Sequence, residues 1–280
     1  MSPRLFFLTL VCLCWSVLSS TAQGLSPTEL SDLQARAEGG DPTAQYDLGT
    51  LYLSGNAVDR DPETAQSWLI AAANQNNLEA QYLLATLFKS GQLGTIDVRQ
   101  AFFWYKKAAE AGHVQAQFDL GQLYEKGQAI GKAMRSVKDA DRAFFWVKKS
   151  AEQGYSVAQF YLGEYYREGK GTAVSLSDAF RWYQASAKQG HPIAQHQVGS
   201  MFYLGLGIEK NEQNAFQWLL KSANQGYAAA QYSVGVMYYH GNGTLSNRKK
   251  AAHWVRKAYE NNYLEAEKMW SELELWKYED

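Results

Sequence analysis

The chain has 280 residues, 46% hydrophobic and 20% charged, which is enough apolar material for a sizeable core in a chain of ordinary soluble composition. Its formal net charge of −1 provides no overall basic field, so nucleic acid is not an expected partner and any membrane association is expected to run through other proteins. Aromatic residues make up 14% of the chain, and their placement is periodic.

In chain order, residues 1–22 read as a cleavable secretory signal. Arg4 supplies the positive start, Leu5 to Leu18 the apolar stretch and Ser20-Thr21-Ala22 a small-residue cleavage site. The apolar run, ~14 residues, is shorter than the ~20 needed to span a bilayer. Both cysteines, Cys12 and Cys14, lie inside it. Processing after Ala22 would leave 26 basic against 28 acidic side chains and no thiol, so packing without disulfides must hold the exported chain. Residues 23–40 form an N-terminal capping segment, with a helix predicted over 26–38: Ser26 as N-cap, Pro27 in the first turn and Glu29 close behind.

A repeat follows. The pair Ala-Gln recurs at Ala44, Ala80, Ala116, Ala158, Ala194 and Ala230, then as Ala266-Glu267, at intervals of 36, 36, 42, 36, 36 and 36 residues. Tryptophan keeps the same phase at Trp68, Trp104, Trp146, Trp182, Trp218 and Trp254, with the same single interruption. Each period divides into two segments of helical spacing. The first ends at a phase-locked glycine (Gly55, Gly91, Gly127, Gly169, Gly205, Gly241), the usual left-handed stop. The second carries the tryptophan and ends at Asn76, Gly112, Gly154, Gly190, Gly226 or Asn262. Small residues at Ala72, Ala108, Ser150, Ser186 and Ser222 allow close helix approach, and Trp and Tyr fill the gaps between neighbouring pairs. One helix pair cannot bury both faces, so the array is the folding unit. The expected boundaries are 41–76, 77–112, 113–154 with a six-residue insertion, 155–190, 191–226 and 227–262, then a capping helix over 263–280.

The run Ala116 to Gly121 (Ala-Gln-x-x-Leu-Gly), with Tyr124 and Gly127 after it, resembles the Sel1-like repeat, a relative of the tetratricopeptide repeat. The Gly-x-Gly pairs Gly169/Gly171, Gly205/Gly207 and Gly241/Gly243 match it, as does Ala179 to Ala187. The 36-residue period separates it from the 34-residue tetratricopeptide repeat. The resemblance implies an all-α fold: a right-handed α-solenoid of about six two-helix repeats with an extra helix at each end. It also implies an adaptor of membrane or envelope complexes, or a secreted bacterial factor that engages host proteins. Cysteine-rich relatives have been described as penicillin-binding or β-lactamase proteins, with a disulfide in each repeat. Without a cysteine beyond Cys14, this chain departs from that subgroup.

Catalytic and metal motifs are missing. None of the five histidines falls in an HExxH pattern, and no G-x-S-x-G elbow or S-x-x-K with K-T-G set is present. His113 and His191 share a position filled elsewhere by Tyr155 and Tyr227, which suggests interchangeable half-exposed rings. The Gly-x-Gly loops lack a Walker-type lysine and read as turns. Asn242-Gly243-Thr244 is a glycosylation sequon only in a eukaryotic host. The expectation is a non-enzymatic protein with no metal or cofactor.

Comparison of repeats separates packing from surface. Three, six and ten residues after the Ala marker, identity drifts on one face of the first helix, the face that lines the concave side of related solenoids. The candidate partner-binding residues are Asp119, Gln122, Tyr161, Glu164, Tyr165, Glu168, Gln197, Ser200, Tyr203, Tyr239 and His240, weighted toward tyrosine because it is frequent at binding hot spots. The insertion around 131–138 adds Lys132, Arg135 and Lys138, a local basic spot with the look of a tolerated loop. The expected function is an exported protein–protein scaffold of the cell envelope, periplasmic or secreted. A host-binding factor is the alternative, and a β-lactam or cell-wall hydrolase a more distant one.

Overall fold

The computed structural model describes residues 25–127, 129–130, 136–137 and 139–278. The expected signal, residues 1–22, lies outside them. The chain divides into two compact units, Met1–Ala111 and Gly112–Asp280. The first contains α1 (Pro27–Glu38), α2 (Pro42–Ser54), α3 (Pro62–Asn74), α4 (Leu78–Ser90) and α5 (Val98–Glu110). The second contains α6 (Val114–Glu125), α7 (Ala140–Glu152), α8 (Ser156–Glu168), α9 (Leu176–Lys188), α10 (Pro192–Leu204), α11 (Glu212–Asn224), α12 (Ala228–His240), α13 (Arg248–Glu260) and α14 (Leu264–Glu272). Within each unit every helix packs mainly on the helices before and after it in sequence, which is the arrangement of an α-solenoid.

The helix ends follow from sequence. Ser26 and Glu29 form a reciprocal capping box on α1. Second helices start at a phase-locked cap, Asp61, Asp97, Asp139, Ser175, Asn211 or Asn247, whose side-chain oxygen accepts a first-turn N–H. After α14 the chain makes a single 3-10 turn, Leu275–Tyr278, that buries Leu275. One departure from an all-α chain lies in the insertion. There β1 (Ala129–Ile130) and β2 (Ser136–Val137) pair antiparallel. Lys132, Arg135 and Lys138 lie outside the described residues.

The second glycine of each Gly-x-Gly turn has a packing role as well as a left-handed φ. A Cβ on Gly207 would meet the Leu176 carbonyl at 2.4 Å, and one on Gly243 the Glu212 carbonyl oxygen at 2.0 Å. The loop of one repeat thus lies on the start of the previous repeat's second helix. In the first repeat Ala57 holds the corresponding left-handed conformation, φ +67°.

Inside the array runs a ladder of buried amides. Gln45, Gln81, Gln117, Gln159, Gln195 and Gln231 are all buried. Nε2 of Gln159 donates back to the Ala151 carbonyl at 3.2 Å, that of Gln195 to Ala187 at 3.2 Å and that of Gln231 to Ala223 at 3.4 Å. Their Oε1 atoms accept from Gln189 (2.8 Å), Gln225 (2.8 Å) and Asn261 (2.9 Å). Gln189 and Gln225 also donate to the Gly154 and Gly190 carbonyls, tying each repeat to the one before. Ser150, Ser186 and Ser222 add a second set, donating to the carbonyls of Val114, Ser156 and Pro192. The small size foreseen at these serines is therefore only part of their role.

The tryptophans are less central than their periodicity suggests. Trp68, Trp146, Trp182 and Trp218 are only half-buried, while the next residue in each repeat (Leu69, Tyr105, Val147, Tyr183, Leu219, Val255) is fully inside. That residue seats on the glycine or alanine of the facing first helix. A Cβ on Gly163 would lie 2.6 Å from the Tyr183 ring.

Candidate partner-binding face

Two tyrosines break the aliphatic pattern at that inner position, and each puts its hydroxyl under the first-helix surface. The Tyr105 hydroxyl lies 3.3 Å from Thr86 Oγ1 in the first unit. In the second unit Tyr183 donates to Glu164 Oε1 and accepts from Arg167 Nε at 3.3 Å. Arg167 also pairs with Glu164 and Glu168. Gln197 Nε2 reaches Glu164 Oε1 at 3.3 Å from α10.

A second phenol of the same repeat does this for a carboxylate one repeat earlier. Tyr165 donates to Glu125 Oε2 at 2.8 Å, and Lys170 pairs with Glu125 (3.2 Å) and Glu168 (2.8 Å). Gln122 donates to the same Glu125 at 3.3 Å. Two carboxylates of neighbouring repeats are thus held from below by phenols and from the side by cations. Half-buried Tyr161 lies against Phe118 beside them, ring centroids 5.2 Å apart.

Burial, then hydrogen bonding to a carboxylate, pushes the Tyr165 and Tyr183 phenols far up, so both remain protonated donors. Tyr161 is pushed up by burial first and by the Glu125 and Glu164 charges second. The hydrogen bond to Lys170 holds Glu168 below the usual carboxylate range and Lys170 above its own. Near neutral pH Glu168 and Lys170 therefore stay charged while the phenols stay neutral donors. The arrangement suits recognition by rigid, oriented charges.

The expected face thus resolves into three groups. Glu164, Glu168, Gln197, Gln122 and Tyr161 belong to the first; half-buried Asp119 on α6 and Ser200 on α10 lie on the same helices. Tyr203 forms the second, its hydroxyl accepting from Asn242 Nδ2 at 2.8 Å with Lys210 over its ring. In the third, Arg248 stacks on Tyr239 at 3.5 Å and exposed His240 meets the Tyr239 edge. Tyr165 requires a correction. It sits seven residues after the Ala marker, a position held by Leu87, Leu123, Met201 and Met237, and is 1% exposed. Only its hydroxyl serves the face.

Glu125, Arg167, Lys170 and Tyr183 were not foreseen. The signal for Tyr183 was present: a tyrosine among leucines and valines at one phase, the mark that offset comparison sought on the wrong helix. His113 is buried rather than half-exposed, while His191 is half-buried as expected. Both are N-caps whose Nδ1 accepts an N–H, from Ala116 at 3.1 Å and Ala194 at 3.2 Å, and His113 is 8% exposed. Burial lowers the pKa of His191 and of His196. Among the described residues no helix is long and apolar enough to cross a membrane.

The Sel1 repeat family profile matches residues 42–77, 78–113, 114–155, 156–191, 192–227 and 228–263, six consecutive segments across most of the chain. The chain belongs to the Sel1 repeat family. It is similar to a protective antigen of uropathogenic Escherichia coli with an SLR fold, at 34% identity and TM-score 0.79 over 85% of this chain. The match spans half the length of that antigen. A Sel1 repeat protein of Oxalobacter formigenes matches at 28% identity and TM-score 0.64, over 78% of this chain and 85% of its own. No curated protein sequence matches significantly. Sel1 repeat proteins in general act as protein–protein interaction scaffolds, typically without catalysis.

Proposed function

We propose that this Sel1 repeat protein is an exported, non-enzymatic adaptor of the cell envelope. It holds a protein or peptide along the first-helix face of its third to fifth repeats, the side expected to be concave. The observation that carries this reading is the network of Glu125, Glu164, Arg167, Glu168 and Lys170 around Tyr161, anchored from the core by Tyr165 and Tyr183. Buried phenols that fix surface carboxylates give little to stability that leucine or valine would not. They do pre-organise a polar surface, which lowers the ordering cost of binding. The leader-like residues 1–22 support export, with the periplasm as destination.

The test places a photo-crosslinking amino acid at position 161 in the native host and compares Glu164→Gln/Glu168→Gln with the parent chain. The expected result is one adduct at 161 that the double substitution removes, with thermal unfolding shifted by no more than a few degrees. An undiminished adduct in the double variant would count against the face. The antigen-like relative favours a second reading, a released factor that binds host proteins. Fractionation separates the two: the chain is found in the periplasm on the first reading and in the culture medium on the second. A nitrocefin and muropeptide turnover assay checks the absence of hydrolysis.

A further inference from the structure

In the sixth repeat, α13 departs from a rule that four of the five other second helices keep; α5 has no first-turn acid either. Positive charge at a helix N-terminus opposes the helix dipole, at about 0.3–1 kcal/mol per group. Accordingly α3, α7, α9 and α11 carry Glu63, Asp141, Asp178 and Glu212 in their first turns. Helix α13 instead opens with Arg248, Lys249 and Lys250 and has no acid there. Arg248 stacks on the Tyr239 ring and Lys250 lies over the Tyr238 ring, so of the three only Lys249 is without such a contact among the described residues.

The same helix lines a cleft of about 360 Å³ with Lys249, His253, Arg256, Lys257 and Glu260, closed by Tyr278 of the C-terminal turn. Spacing of four, three and one residues puts the four basic groups on one flank of the helix. Two are already positioned: Lys257 lies 4.9 Å from the Trp254 ring and Arg256 pairs with Glu260 at 2.8 Å. Among the described residues Lys249 has no ion pair. Among the described residues, three permanent cations and a single carboxylate line the cleft, in a chain whose net charge is −1. The size is that of a small-ligand site, and the chemistry is that of an anion receptor: ammonium and guanidinium donors, an imidazole and a phenol.

We infer that this cleft binds a phosphate-bearing anion through Lys249, Arg256 and Lys257. The site is on second-helix α13, apart from the first-helix face, and does not depend on the adaptor reading. A multiply charged phosphate group fits better than a carboxylate because it can accept from two ammonium groups and a guanidinium at once. Such a group could belong to a free phosphoanion or to a lipid head, and the composition-based expectation of no direct membrane contact applies only to the whole-chain charge.

The test uses the chain without its leader-like residues 1–22. Calorimetric titration with inorganic pyrophosphate and sedimentation with vesicles of 30% phosphatidylglycerol are run beside Lys249→Ala/Arg256→Ala. A charge-matched control, Lys148→Ala/Lys268→Ala, removes cations that lie in helical i,i+4 pairs. Binding that weakens at least tenfold in the cleft variant and less than twofold in the control supports the inference. Response to pyrophosphate assigns a free phosphoanion, and response to vesicles alone assigns a lipid head. Absence of binding to both probes, or equal loss in the two variants, overturns it. Circular dichroism of all variants guards against misfolding.

Discussion

Gln81 carries the one break in the amide ladder. Its Oε1 is buried and receives no hydrogen bond, because the position that holds Gln75, Gln153, Gln189, Gln225 or Asn261 elsewhere is Ala111. Ala111→Gln restores both the rung and a donor to the previous repeat, and should raise the free energy of unfolding by about 1 kcal/mol in urea titration. No gain would mean that Gln81 is already satisfied in solution. At the same scale, His191 and His196 predict a pH dependence. Above about pH 6.5 both rings are neutral folded and unfolded. Below it the unfolded chain takes up protons that the folded chain resists, so stability falls with acidification. His191→Asn keeps the cap, as Asn77 already does at this position, and should flatten part of the loss of melting temperature between pH 7.5 and 5.5. An unchanged slope would remove His191 from the account. His113 and His191 were legible only as a shared position, because a ring that accepts a backbone N–H leaves no pattern distinct from an idle one.

At the scale of the element, sequence spelled out nearly every helix, since caps, glycine stops and apolar spacing all agree. What stayed hidden was contact across elements. Gly205 and Gly207 have the same left-handed φ, near +70°, yet differ in surroundings. A Cβ on Gly205 would meet Lys210 Cβ at an ordinary 3.4 Å, while one on Gly207 would strike the Leu176 backbone. Gly205→Ala should therefore cost about 1 kcal/mol from backbone strain alone, and Gly207→Ala clearly more. Equal costs would refute the packing role. The same blindness put Tyr165 on the surface: its phase is that of a core leucine, and only its aromatic character suggested exposure. The Glu125–Lys170 pair joins residues 45 apart, which spacing within a helix does not announce, whereas Glu164–Arg167 is an i,i+3 pair on α8 that it could have.

At the scale of the whole molecule, contacts between successive helices within each unit imply that stability adds up along that unit. Excision of residues 192–227, one period, brings Ala228 next to His191 in phase. The shortened chain should keep its helical content per residue by circular dichroism and melt at a lower temperature. Collapse to an unfolded chain would show that the second unit depends on contacts beyond nearest neighbours. The fold class was open to sequence because each period restates it five more times; the partner face was open only in part, because it is written in the deviations, and six copies give few of those.

The amide ladder has a direction. Gln159, Gln195 and Gln231 each hand an N–H toward the amino-terminal side and take one from their own repeat, so the order of repeats cannot be reversed. At the seventh marker the residue is Glu267, exposed on α14, and a carboxylate has no N–H to hand on. It works as a punctuation mark in a one-way text. Anyone lengthening the array by grafting another helix pair after α14 would first have to rewrite that residue as glutamine.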